Sequence, residues 1–143
     1  MRKISMNIAS KKRTRFPRGM AIVEAAILFP VLLMLTFGMM EYGWMFLKMQ
    51  QLNNTAEVAA RMAAMPTATN TTVTSEISSL MSSYGMGSSG YTTTFTPSDV
   101  STAVLGATVT VQLNVTYSHV QVIGTSLVPT PSSLTASVTM VKE

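Results

Sequence analysis

Apolar residues crowd one stretch of this chain and are rationed elsewhere. From Met20 to Met40 the sequence is apolar apart from Glu24, Thr36 and the small residue Gly38. A helix of about 20 residues crosses the hydrocarbon core of a bilayer, so this run is of membrane length. Apolar character continues through Tyr42, Trp44, Met45 and Phe46 to Leu47. Beyond that the pattern becomes periodic. Met45, Met49, Leu52, Ala56, Ala59 and Ala63 recur at alternating spacings of four and three, which puts them on one helical stripe. Glu57 and Arg61 form a favourable i,i+4 pair, and Pro66 stops the pattern. The expectation is one long helix, with a transmembrane part over residues 20–47 and a stem over 48–65. Such a stripe usually packs against the protein's own domain; packing into a filament core is the less common use. Pro30 removes one backbone donor, so a kink or local loosening is expected there.

Residues 66–90 read as a linker containing a short helix. Ile77, Leu80, Met81 and Tyr84 share a face over 75–84, Thr74 is placed to cap it, and Gly85 to end it. The period then changes to two. Tyr91, Thr93 and Phe95 alternate with threonines up to Pro97. Val109, Val111, Leu113, Val115 and Tyr117 alternate with polar residues in the clearest strand of the chain. Val120, Val122 and Ile123 extend it or follow a bulge, and Gly124–Ser133 reads as a loop. Leu134, Ala136, Val138 and Met140 make a final strand. Residues 91–143 are thus expected to form a small antiparallel sheet of three or four strands. The fold class is α+β: a long N-terminal transmembrane helix, its stem, and a β domain that the stem covers.

Composition supports the membrane segment. Hydrophobic residues make up 47% of the 143 and charged residues only 11%, where a soluble domain carries about a quarter. One long apolar segment accounts for that better than a large soluble core. The absence of cysteine excludes disulfides and thiolate metal sites.

Charge is distributed unevenly. Arg2, Lys3, Lys11, Lys12, Arg13, Arg15 and Arg18 precede Gly19 with no acid among them, so the overall +4 belongs to residues 1–19. A basic segment is a nucleic-acid signature in some settings. Beside an apolar run it acts as a topology signal that keeps its own side cytoplasmic. Residues beyond Lys48 then lie outside the cytoplasmic membrane, with Tyr42 and Trp44 as interfacial aromatics and Lys48 reaching outward as a third anchor. The basic segment has two readings. One is the cytoplasmic tail of an uncleaved signal anchor. The other is a leader removed between Gly19 and Met20, where glycine permits close approach of a protease to the backbone.

Glu24 is the informative polar residue. A carboxylate deep in a membrane helix costs about 2.5–3.5 kcal/mol on insertion scales. Near the helix start it costs less, because the positive end of the helix dipole favours it. It is either an interfacial carboxylate or the partner of a cation from another subunit. The α-amino group of Met20, exposed by cleavage, is one such cation.

No catalytic constellation emerges. His119 is the only histidine and Asp99 the only aspartate. No nucleophile elbow, zinc ligand set or glycine-rich phosphate loop is present. No catalytic residue, metal or cofactor is expected, and no nucleic acid or small-molecule substrate. Sequons at Asn53, Asn70 and Asn114 matter only in a glycosylating pathway.

The segment Gly19 to Gly43 resembles the TadE-like family, minor pseudopilins of bacterial tight-adherence (Flp-type) pilus and secretion systems. Val23, Glu24 and Ala26, then Pro30, then Phe37, Gly38, Glu41, Tyr42 and Gly43 carry the resemblance. The C-terminal run from Leu134 to Glu143 also looks like that family's last strand. The resemblance implies cleavage between Gly19 and Met20 by a prepilin peptidase, with Glu24 as the fifth mature residue and the acid that guides docking. It implies an inner-membrane subunit with a periplasmic C-terminal domain. Its partners would be the peptidase, other pilins and pseudopilins, and the pilus assembly platform. Major Flp pilins have Glu-Tyr at the fifth and sixth mature positions and are much shorter; here Ala25 follows Glu24. Two other readings stand beside this one: an uncleaved signal-anchored envelope protein whose β domain binds a wall component or protein partner, and a membrane-tethered enzyme using His119 or Asp99.

Overall fold

The structure, a computed structural model, describes residues 18–123 and 129–143. Residues 1–17 of the basic segment, and 124–128 of the expected loop, lie outside the described residues. One helix, α1 (Arg18–Ala63), takes up the first part of the described chain. It is followed by α2 (Asn70–Ser83), β1 (Thr92–Thr96), β2 (Thr108–Thr116) and β3 (Ser133–Val141), with single 3-10 turns at Val100–Thr102 and Tyr117–His119. The chain is α+β. It divides into two compact units, Met1–Leu33 and Met34–Glu143.

In the first unit the described residues are α1 alone. From Gly19 to Leu33 every residue is exposed, and nearly all are apolar. Among the described residues α1 is the helix long and apolar enough to cross a membrane. Helical structure is continuous through Pro30, as neighbouring turns of a membrane helix tolerate one missing donor.

In the second unit the stem stripe is buried. Leu52, Ala56, Ala59 and Ala63 have no exposure, and Met45 and Met49 pack against the same core. The alanines leave little side chain between the α1 backbone and its neighbours. The stripe therefore packs against the protein's own domain, in one cluster with Val73, Ile77 and Met81 of α2 and the inner face of the sheet.

The sheet has the order β1-β2-β3 with both pairs antiparallel. Register follows the period of two. Val111 lies opposite Phe95 and Val138, Leu113 opposite Thr93 and Ala136, and Val115 opposite Leu134. Val109, Val111, Leu113 and Val115 are fully buried. The other face is neutral and hydroxyl-rich: Thr110 and Thr139 share a hydrogen bond of 2.7 Å, and Asn114 donates to Thr135 over 2.8 Å. β2 does not run on to Ile123; the chain turns at Tyr117–His119. Tyr117 keeps the inward parity of β2 and is buried.

The short helix starts earlier than its sequence pattern predicts, at Asn70 instead of Ser75. Thr74 does not cap it. Thr69 does, accepting from the Thr72 N–H, while the Thr72 hydroxyl accepts from the Thr69 N–H at 3.1 Å. Thr71, Thr72, Val73 and Thr74 have low helix propensity and read as linker. The reciprocal cap and the burial of Val73 outweigh that preference. The C-terminal end is as expected. Gly85 has φ +67, its N–H bonds to the Ser82 carbonyl, and Met86 N–H bonds to the Met81 carbonyl at 2.7 Å. This is a Schellman closure, with Met86 buried beside Met81.

Candidate functional site

The sequence singles out the foot of α1 and the anchors Tyr42, Trp44 and Lys48, and each place belongs to one compact unit. The first is the foot of α1. Gly19 and Met20 are exposed in its first turn. A Cβ added at Gly19 would meet nothing within 4 Å, and φ there is not positive. Among the described residues, neither packing nor backbone conformation requires glycine at this position. Glu24 is exposed on the helix surface, with no hydrogen bond or ion pair among the described residues. It lies in the second turn of a helix with no acid in its first turn, close enough to the N-terminal end for the dipole to favour its charge.

The second place is the junction of α1 with the β domain. Glu41 is 3% exposed, although it follows an apolar run. One carboxylate oxygen accepts from the Tyr117 hydroxyl at 2.5 Å, and the other accepts from the Ile123 N–H at 3.0 Å. A buried carboxylate is tolerable because both oxygens have donors. The Tyr117 phenol is pushed well above its usual range, first by burial and then by the hydrogen bond and charge of Glu41. Tyr42 donates its hydroxyl to the Pro129 carbonyl at 2.7 Å, and the Trp44 indole N–H donates to the Val120 carbonyl at 2.7 Å. Three side chains of one helical turn, those of Glu41, Tyr42 and Trp44, therefore hold Ile123, Pro129 and Val120.

Lys48 is 6% exposed. Its ammonium donates to the Tyr84 carbonyl at 2.6 Å and lies 4.8 Å from the centre of the Trp44 ring. Tyr84 closes α2, so the cation meets the negative end of that helix. Burial lowers the Lys48 pKa from its ordinary value. The sequence reading has Lys48 reaching outward as an anchor; the structure gives its ammonium a carbonyl inside the domain.

The two candidates for chemistry have local structural partners. His119 bonds through Nδ1 to the Ser89 carbonyl at 2.8 Å. The Asp99 carboxylate caps the following turn, accepting from the Ser101 N–H and hydroxyl, and these bonds hold its pKa below the usual value. Among the described residues no group of three or more His, Cys, Asp or Glu is placed to hold a metal ion. Asn70 uses its side-chain amide internally, donating to the Ser98 carbonyl and accepting from the Val100 N–H.

Two arrangements were not foreseen from sequence. One is the Glu41–Tyr117 bond. The other is Lys142, which is 4% exposed and whose ammonium donates to the carbonyls of Ala63, Met65 and Val100 at 3.1, 2.7 and 3.3 Å. It closes the C-terminal end of α1. The inward parity of Tyr117 was a signal in the sequence; its partner, 76 residues away, was not.

With this geometry in place, comparison with known proteins adds one finding. Residues 19–61 match the model of the TadE-like protein family. The match covers the foot of α1, the apolar run and most of the buried stripe, the same segment whose residues carry the resemblance. No curated protein and no solved structure matches the chain.

Proposed function

We propose that this protein is a minor pseudopilin, a structural and assembly subunit of a bacterial tight-adherence pilus or secretion system. The observation that carries the reading is the TadE-like match over residues 19–61, on a helix whose first part is apolar and exposed. Its role is structural and not catalytic. The protein sits in the inner membrane as a single-pass subunit, with the basic N-terminus cytoplasmic and the β domain periplasmic.

A prepilin peptidase removes residues 1–19. Supporting this, Gly19 is a glycine that the described fold does not require. Cleavage turns the Met20 nitrogen, four positions before Glu24, into a cation, and Glu24 of a neighbouring subunit pairs with it. An exposed carboxylate with no partner among the described residues is what such pairing uses. Other pilins and pseudopilins and the assembly platform are the partners. Tyr42 and Trp44 lie at the outer membrane–water boundary while their polar ends hold the domain.

The test is Glu24→Ala in the native host. Membrane insertion, read by flotation with membranes, should be retained or improved, because a costly acid is removed. Piliation and surface adhesion should fall. Normal piliation in that variant would contradict the docking role.

A further inference from the structure

Hydrogen bonds from Tyr42 and Trp44, and to Glu41, fix Pro129, Val120 and Ile123 against one turn of α1. That turn lies within the apolar part of the helix. Met39 and Met40 just before it are 66% and 57% exposed, and Phe46 and Leu47 just after it are exposed too. The lipid-compatible surface of α1 therefore extends on both sides of the level at which the domain is attached.

Beside that turn, the described residues after β2 leave Val122 and Pro129 exposed. Val122 is 54% exposed. No Asp, Glu, Lys or Arg occurs from Val100 to Val141. The acid at this level, Glu41, is buried with both oxygens bonded, and the nearby cation Lys48 is turned to the Tyr84 carbonyl. Entering a headgroup region would thus dehydrate no free charge here, which is the main cost of such contact. Tyr42 and Trp44 are residue types that favour this boundary.

We propose that this end of the β domain is a second membrane contact. Val122 and Pro129 rest in the headgroup–acyl boundary beside α1, so the domain is seated on the lipid surface instead of standing off it on the stem. The inference rests on the reading that the apolar part of α1 crosses the membrane. The occupant is lipid, because the surface is continuous with the exposed apolar face of α1 and carries no charge for a polar partner to recognise.

The absence of cysteine lets single nitroxide labels be placed without background. The full chain, carrying Val122→Cys, Leu35→Cys or Leu105→Cys, is reconstituted in phosphatidylethanolamine–phosphatidylglycerol vesicles. Collision with oxygen, which partitions into lipid, is compared with collision with a water-soluble nickel chelate. Leu105 is 82% exposed. It precedes Gly106, which is bonded to Lys142 at the far end of the stem, roughly 28 Å along α1 from Trp44 at 1.5 Å per residue. Leu35 reports whether α1 is inserted at all, so failure of the membrane reading shows there and not only at Val122. The oxygen-to-nickel ratio at Val122 should lie between those at Leu35 and Leu105. With Leu35 in lipid, a ratio at Val122 equal to that at Leu105 would place the segment in water and overturn the proposal. Shielding of Val122 from both reagents would mean a protein contact, such as a second copy, and would also overturn it.

Discussion

The buried carboxylate of Glu41 accepts a hydrogen bond from the Tyr117 hydroxyl, joining the end of the apolar run on α1 to the end of β2. The bond is the polar centre of the junction, with Ile123 N–H on the second oxygen. Truncating either partner leaves buried polar atoms without their bonds, which costs about 1–3 kcal/mol. Glu41→Ala and Tyr117→Phe should each lower the stability of the full chain in detergent by an amount in that range. The double variant should lose less than the sum, since the two act through one interaction. Urea titrations of the four proteins measure this coupling; strict additivity would mean the bond contributes nothing.

Alkali should act on the same bond. The folded-state pKa of Tyr117 is raised, so the unfolded chain loses this proton first, near the ordinary value of about 10. The stability linked to this group is therefore complete below about pH 10 and declines as pH rises past it. Lys48, with its lowered pKa, works in the opposite sense, so the comparison must be with a variant that keeps it. Tyr117→Phe should show a flatter loss of stability than the parent protein between about pH 9 and pH 11, read from urea midpoints. Equal slopes would contradict the assignment.

Lys142, directly after β3, should matter more than a residue just beyond a strand usually does. Its ammonium satisfies three carbonyls at the end of α1 and in the turn at Val100. Lys142→Met keeps much of the stem and removes every donor, which should destabilise the domain by about 1–3 kcal/mol. Thermal unfolding followed by circular dichroism is the measurement, and an unchanged midpoint would show the cap to be dispensable.

The start of α2 gives a smaller and more local expectation. Thr69→Ala removes the hydroxyl of the reciprocal cap and should cost about 1 kcal/mol. Amide exchange in the first turn of α2, from Asn70 to Val73, should accelerate more than exchange in β2.

What could be read from the sequence follows from how local its cause is. The apolar run, the 4-3-4-3-4 stripe and the alternation in β2 and β3 are periodic, and period determines which face is buried. Leu52, Ala56 and Val111 are accordingly in the core. The helix at Asn70 was only partly legible, because four β-branched residues argue against a helix and the Thr69–Thr72 cap that outweighs them is a single reciprocal pair. The inward turns of Lys48 and Glu41 were not legible. Their acceptor and donor groups, at Tyr84, Tyr117 and Ile123, become neighbours only once the domain has folded back along the helix. At the foot of α1, Gly19 and Glu24 stood out in the sequence as a glycine and an acid in an apolar setting. The fold gives neither of them a partner among the described residues, so their roles are sought in processing and assembly.

The most direct test of the account is the N-terminal sequence and intact mass of the protein taken from its native membrane, with the prepilin peptidase present and absent. The account predicts a chain that begins at Met20 only when the peptidase is present. A chain that begins at Met1 in both cases would contradict it, leaving α1 as a permanent signal anchor and Glu24 without the amine it is proposed to meet.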